Sequence, residues 1–544
     1  MVSAPQNAVA DGTPRYRLGY LLAISLVAAL GGLLFGYDWV VISGAKMFYE
    51  KDFQLTSAWL EGWATSCATL GCLLGAVVAG GLSDRYGRKR LLILAGGLFV
   101  ATGVGVALAR DMAGLGGFTW FVIFRMLGGV GIGLASNISP VYIAEISPAE
   151  VRGRFVALNQ LAIVIGVLGA QCANWLIDGY GSRLDARILA ASAAPATPQT
   201  GFAQRFIARY GPRIPGGRTA DFLDRQQGAP TDQAIAEFLA GEKIKVPAAY
   251  LLMAHRGLTP WSETRGWRWM FGAVAIPGLL LFLAMFCVPE SPRWLIKNGR
   301  VAPARCVLAK IGGPAFADRE AADIQATLVN EVQKVDFREL LEPRMRKILF
   351  LGVVLAVLQQ WCGINCIFYY ADKVFGAAGF EPGGVLQNIV MMGGVSLVFT
   401  LIAIATVERL GRRRLMLLGT AGLAATFALL GTAYLCGVQG VPVLLLVLAG
   451  MAWYSLTLAP ITWVILSEIF PNRIRGAAMS VSVFALWLAC FVAAQLFPIA
   501  AEANLGGSCL GFSAVCAFGF WYVLARLPET KGKSLEQIER ELVD

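Results

Sequence analysis

Charge is scarce in this chain. Asp, Glu, Lys and Arg make up 15% of its 544 residues, against roughly a quarter in an ordinary soluble domain. Histidine is scarcer still, with His255 the only one. That excludes a centre built on several imidazoles. Eleven cysteines are present, but nearly all fall within apolar runs, as at Cys67, Cys72, Cys172, Cys362 and Cys366. They follow no metal spacing and no disulfide framework, and they read as small packing residues. No nucleophile–base pair and no phosphate-binding loop is evident. Neither an enzyme nor a bound cofactor or metal is expected.

Apolar residues fill the space instead: they form 57% of the chain, with mean hydropathy +0.62. Leu18–Val41, Leu91–Ala109 and Phe271–Val288 are each long enough to cross a hydrocarbon layer about 30 Å thick. In lipid only helices and closed barrels satisfy their own backbone. The period-2 alternation of a barrel is missing, so the runs read as helices. Twelve spans are predicted, near 18–43, 60–81, 91–109, 119–145, 155–177, 268–288, 347–372, 387–407, 415–437, 442–468, 477–500 and 506–525. The first carries Asp38 and lacks a small-residue cleavage site, so it reads as a span rather than a cleaved leader.

The basic residues then fix an orientation. Arg85, Arg88, Lys89, Arg90, Arg152, Arg154, Arg409 and Arg412–Arg414 fall on one side, while Lys46, Lys51, Arg110 and Lys373 fall in the short loops of the other. The positive-inside rule places the first side, with both termini, in the cytoplasm. The net charge of +11 thus reports topology in a cell membrane and not nucleic-acid binding.

Two charged strings repeat. Asp84-Arg-Tyr-Gly-Arg-Lys-Arg90 returns as Glu408-Arg-Leu-Gly-Arg-Arg-Arg414, 324 residues later. Glu145 with Arg152-Gly153 returns as Glu468 with Arg475-Gly476, 323 residues later, and Pro289-Glu-Ser returns as Pro528-Glu-Thr, 239 residues later. The chain therefore reads as two six-helix halves. The first half comprises 1–177 and 267–293, the second 347–526. An insertion at 178–266 separates spans five and six on the outer side, with a short helix expected over 232–241. Cytoplasmic linker helices are expected over 294–346 and a tail over 527–544. Repeated halves point to a secondary transporter with its substrate site at their interface.

The ordered strings Gly36-Tyr-Asp38, the basic turn 84–90, Pro140-Val-Tyr-Ile-Ala-Glu145, Arg152-Gly-Arg154, Pro289-Glu-Ser-Pro-Arg-Trp-Leu295, Gln359-Gln360…Gly363-Ile-Asn365…Tyr369-Tyr370 and Pro528-Glu-Thr-Lys-Gly-Lys533 carry a resemblance. The chain resembles the sugar porter family of the major facilitator superfamily, most nearly its bacterial proton-coupled pentose and hexose symporters. The resemblance implies a twelve-helix, all-α transporter that cotransports a proton with a monosaccharide or polyol.

Asp38 and Arg125 are ionisable residues within apolar spans. Each costs about 2.5–3.5 kcal/mol to insert, so a functional role is the default, with a static ion pair as the plain alternative. The resemblance makes Asp38 the proton site and Arg125 its partner; facilitative members of the family carry Asn at this position. A sugar offers hydroxyls and apolar CH faces, and Asn and Gln supply donors and acceptors without charge. By resemblance, Phe35, Gln160, Gln359, Gln360, Asn365, Tyr369, Tyr370, Trp463 and Trp487 match sugar-contacting positions. Ser396 stands where such symporters carry Asn, Leu486 where they carry an amide, and Val167 where some carry Gln. A pentose, a hexose or a polyol all stay open.

The charged repeats read as a cytoplasmic gate. Its candidates are Asp84, Arg85, Arg88, Glu145, Arg152 and Arg154 in the first half, and Glu408, Arg409, Arg412, Glu468, Arg473 and Arg475 in the second. The resemblance implies that their pairs close the cytoplasmic side of the outward-facing state. The small-residue stripes Gly71, Gly75, Ala79 and Gly129, Gly131, Gly133 predict close helix contacts. The rival functions are a facilitative sugar carrier, which Asp38 disfavours, and a sugar-sensing receptor without net transport, which the short stretch after Arg526 disfavours. The protein is expected to work as a monomer in the bilayer.

Overall fold

A computed structural model describes residues 16–110, 116–148, 150–191, 259–330, 342–470 and 475–531, together with Asp221, Phe222, Arg225 and Phe238. The helix expected over 232–241 lies, apart from Phe238, outside the described residues. Helices dominate the described residues, and no strand occurs among them. The first bundle consists of α1 (Leu18–Asp52), α2 (Ala58–Tyr86), α3 (Arg88–Ala107), α4 (Gly117–Ile146), α5 (Arg152–Ala191) and the broken span α6 (Trp267–Gly272) with α7 (Ala275–Cys287). Three short helices follow: α8 (Pro292–Lys297), α9 (Val301–Gly312) and α10 (Pro314–Asn330). The second bundle has α11 (Pro343–Trp361), α12 (Ile364–Tyr369), α13 (Ala371–Ala377), α14 (Pro382–Leu410), α15 (Arg412–Leu435), α16 (Val441–Leu456), α17 (Leu458–Ile469) and α18 (Arg475–Arg526).

Eleven of these segments are long and apolar enough to cross a membrane. The twelfth span is inside α18, whose helix breaks at Asn504 (φ −165°, ψ 102°), between the two spans expected there. The fold is thus the expected two six-helix bundles. Two ends differ from the sequence reading. α5 runs on to Ala191 because its polar extension is pinned: Ser262 Oγ donates to Asp178 at 2.8 Å, and Trp261 N donates to Asp185 at 2.9 Å. α1 runs on to Asp52 and carries Lys46 inside it, fully buried. Lys46 is therefore not a loop residue; nearby carboxylates replace the water it would otherwise need.

The glycine stripes work in the close packing of α2 on α4. A Cβ at Gly71 or Gly75 would strike the α4 backbone, and one at Gly129 or Gly133 would strike the α2 backbone. Gly131 differs, facing Leu98 of α3 instead.

The three repeated motifs converge once in each bundle. Gly87 and Gly411 sit at φ 95° and 86°, a conformation open chiefly to glycine, and turn the chain sharply into α3 and α15. Glu290 then accepts from the N–H groups of Arg88 and Lys89, and Glu529 from those of Arg412 and Arg413. A carboxylate here serves the unpaired donors and positive end of a helix N-terminus. Arg88 pairs with Glu145 at 2.9 Å, and Arg412 with Glu468 at 3.0 Å. Ser291 and Thr530 complete the sets by donating to those glutamates. The face carrying these turns is called the basic face below.

Between the bundles, α8–α10 build a small core of their own from Trp294, Leu308, Ile311 and Phe316. It docks on the first bundle through Trp294 Nε1, which donates to Asp84 O at 2.9 Å. Tyr16 stacks edge-on against Phe316 and donates to Glu150 at 2.9 Å.

Candidate functional site

A cavity of about 850 Å³ lies between the two bundles. It reaches from Trp39 and Gln360 in the middle of the molecule to the exposed Arg154 at the basic face. Eight of the ten sugar-binding candidates line it: Phe35, Gln160, Gln359, Gln360, Asn365, Ser396, Trp463 and Trp487. The positions of departure, Val167 and Leu486, line it too.

The amides are held by a helix break. Gly363, at φ 93°, separates α11 from α12 and lets Asn365 turn back toward the preceding glutamines. Asn365 Nδ2 donates to Gln360 Oε1 at 2.6 Å, and Gln360 Nε2 to Gln359 Oε1 at 3.4 Å. Gln359 Nε2 reaches the carbonyls of Leu458 and Ala459, both at 3.3 Å, just past the break at Thr457. Ser455 Oγ donates to Ser396 Oγ at 3.0 Å. Trp487 Nε1 is buried and has no partner, so it offers a free donor in this wall.

Tyr369 and Tyr370 do not line the cavity. Tyr369 packs behind Trp39 (ring centroids 5.2 Å apart). Tyr370 closes the short α12, donates to Ala494 O at 2.6 Å and lies 4.8 Å under the Lys46 ammonium. Trp39 was not singled out in the sequence, although it stands one helical turn after Phe35. It meets Phe35 at 5.8 Å and Trp487 at 5.3 Å, so rings from both bundles close the inner end of the cavity. Tyr454 and Asn159 are further lining residues with no prior sequence signal.

Asp38 and Arg125 pair at 2.8 Å, both fully buried inside the first bundle and away from the cavity. The guanidinium also sits over Phe271 at 5.1 Å. Asp38 Oδ2 has no partner and faces the space that Gly128 leaves beside Thr102. Residues adjacent on a helix point about 100° apart. Asp38 and Trp39 therefore place the buried carboxylate and the cavity wall on two sides of one helix.

At the opposite face the bundles are clasped together. Lys46 of α1 pairs with Asp372 of α13 at 3.2 Å, and Lys373 with Glu61 of α2 at 2.5 Å. Ser66 Oγ donates to Gln495 at 2.7 Å across the same seam. At the basic face the gate candidates behave otherwise. Arg88 and Arg412 pair within their own bundles, Arg152 donates to Ala144 O, and Arg85 and Arg409 are exposed. The Glu408 and Arg475 side chains, and all of Arg473, lie outside the described residues.

A family model described as "Sugar (and other) transporter" matches residues 24–203 and 249–542. The chain is 32% identical to the D-xylose-proton symporter of Escherichia coli (strain K12), over 96% of each protein. It is 31% identical to the arabinose-proton symporter of Bacillus subtilis (strain 168), over 97% of this chain and 96% of the other. Its structure matches the partially occluded inward-open xylose transporter XylE from E. coli at TM-score 0.72 and 30% identity, covering 95% of this chain and all of that one.

Proposed function

The chain belongs to the sugar transporter family, and from that premise we propose that it is a proton-coupled symporter of a monosaccharide or polyol, working by alternating access. The observation that carries the reading is the buried pair of Asp38 with Arg125 of α4, in which Asp38 shares α1 with the cavity residues Phe35 and Trp39. Intramembrane ionisable residues are kept for function, and here one is joined by backbone to the wall of an amide-lined cavity.

The basic face would be cytoplasmic by the positive-inside rule. The conformation described is then inward-facing, with its outer entrance clasped. Gln160, Gln359, Gln360, Asn365 and Trp487 would hold sugar hydroxyls; Phe35, Trp39 and Trp463 would supply ring faces. Asp38 Oδ2 would accept the proton. Protonation removes one charge of the pair with Arg125 and frees α1 to move, and Trp39 moves with it. Arg88, Arg412 and their glutamates form the cytoplasmic gate, ready to exchange partners when that side closes. No covalent step is required of the protein, which acts as a monomer in the bilayer.

The test is uptake of D-xylose, other labelled monosaccharides and inositol into proteoliposomes, with and without an inward proton gradient. Accumulation above equilibrium that requires the gradient supports symport. Uptake that only equilibrates, gradient or not, would leave a facilitative carrier.

A further inference from the structure

Gln171 lies on α5 eleven residues after Gln160 and four after Val167, both of which line the cavity. At about 100° per residue these three side chains share one helix face. Gln171 thus continues the sugar-facing stripe, about 16 Å beyond Gln160 along the axis and past the closed end of the cavity. It is fully buried, and neither Oε1 nor Nε2 has a hydrogen-bond partner. Its carboxamide fills the gap left by Gly393 of α14, where a Cβ would strike Oε1.

Buried carboxamides are normally bonded, and leaving one unpaired costs its full desolvation. Gln171 stands where α5 of one bundle meets α14 of the other, in the seam that seals the sugar cavity from the opposite face. Apolar side chains would seal that seam better in this conformation. Parting of α5 and α14, which opening toward the opposite face requires, would uncover the Gln171 amide.

We propose that Gln171 forms an outer subsite that binds the hydroxyls of a monosaccharide before it reaches the central cavity. This rests on the alternating-access reading above. In the outward-facing state a sugar arriving from outside would exchange hydroxyl hydrogen bonds with this amide and then pass along the same face of α5 to Gln160. From the cytoplasmic side the subsite is sealed, so a sugar entering there never meets it. The subsite is therefore one-sided, unlike the cavity.

The experiment measures half-saturation for D-xylose, D-glucose and the monodeoxy-glucoses from both sides, in right-side-out and inside-out vesicles. It compares wild type with Gln171→Met. For Gln171→Met, an outer KM for D-glucose raised 3–10-fold is expected, with the inner KM changed less than twofold. At least one deoxyglucose that wild type disfavours from outside should be handled by the variant as well as glucose itself. Equal shifts on both sides, or one common factor for every deoxyglucose, would overturn direct contact and leave only a packing role. Unchanged outer KM values would overturn the proposal outright. If Gln171→Met fails to fold, as read from thermal unfolding, the shorter amide in Gln171→Asn is read against the same outcomes. If wild-type vesicles take up neither sugar, the transport reading itself fails and this subsite with it.

Discussion

At the basic face Arg88 and Arg412 reach glutamates of their own bundles, whereas at the opposite face Lys46 and Lys373 reach carboxylates of the other bundle. Both faces use the same chemistry, so residue type alone does not make a gate. What matters is whether the partner moves with the cation. Pairs within a bundle survive a rocking motion; pairs between bundles must break. The burial differs as well. Lys46 is fully buried among Glu50, Glu61 and Asp372; at the basic face Arg88 and Arg412 are also mostly buried, and the outlying Lys297–Asp84 pair is about half exposed. Breaking a buried pair leaves an uncompensated charge and costs several kcal/mol. An exposed pair is worth about 1 kcal/mol or less.

The comparison can be broken first at its motor. Asp38→Asn removes the charge that Arg125 faces. Concentrative uptake should fall to simple equilibration, while sugar exchange between two equal pools continues; loss of both would instead point to a structural role. Next comes the clasp. Lys46→Met leaves three carboxylates around an apolar side chain, and about 2 kcal/mol should shift from the inward-facing state toward the outward-facing one. That figure is reduced from a fully buried pair because Lys373 still serves Glu61. Hydrogen exchange should rise at the outer ends of α1 and α13 while α3 and α15 stay protected; no change there would mean that the ion pairs do not hold the seam. Trp487→Phe keeps the ring and removes the free donor. A single neutral hydrogen bond is worth about 0.5–1.5 kcal/mol, so KM should rise roughly 3–10-fold with little change in maximal rate.

The smallest effect lies at the linker. The Glu150 carboxyl is held below its ordinary value by a backbone N–H and by the Tyr16 hydroxyl. A lowered value means that this contact stabilises the fold above the usual glutamate range and is lost as pH falls through the lowered one. Tyr16→Phe should therefore change stability only marginally near neutral pH and flatten its decline in acid. A large loss at neutral pH would show that packing on Phe316, not the hydroxyl, is what the variant disturbs.

The twelve spans and the twofold repeat were legible because lipid permits few solutions and because the basic turns recur at one offset. The repeat showed which charges correspond; the structure adds why they do, since Gly87, Glu290 and Glu145 meet around Arg88 as Gly411, Glu529 and Glu468 meet around Arg412. Four of the amides that line the cavity, Gln160, Gln359, Gln360 and Asn365, were legible as amides in apolar runs, whereas Asn159 was not. Trp39 was not, because a tryptophan in a span carries no signal that separates wall from packing. The clasp was hidden for a different reason. Lys46 and Lys373 look like ordinary loop cations until the helices prove longer than their apolar cores. Tyr370 fell to the same error, since its neighbour in space is Lys46 and that contact spans more than three hundred residues.

The central claim is that sugar and proton cross together, with the proton carried on Asp38. The most direct measurement is the current evoked by a sugar jump on proteoliposomes adsorbed to a solid-supported membrane, without any imposed pH gradient. A transient inward charge movement is expected in wild type for each transported sugar, and none in Asp38→Asn although that variant still exchanges sugar. Equal currents in both, or sugar uptake by wild type with no current, would contradict it.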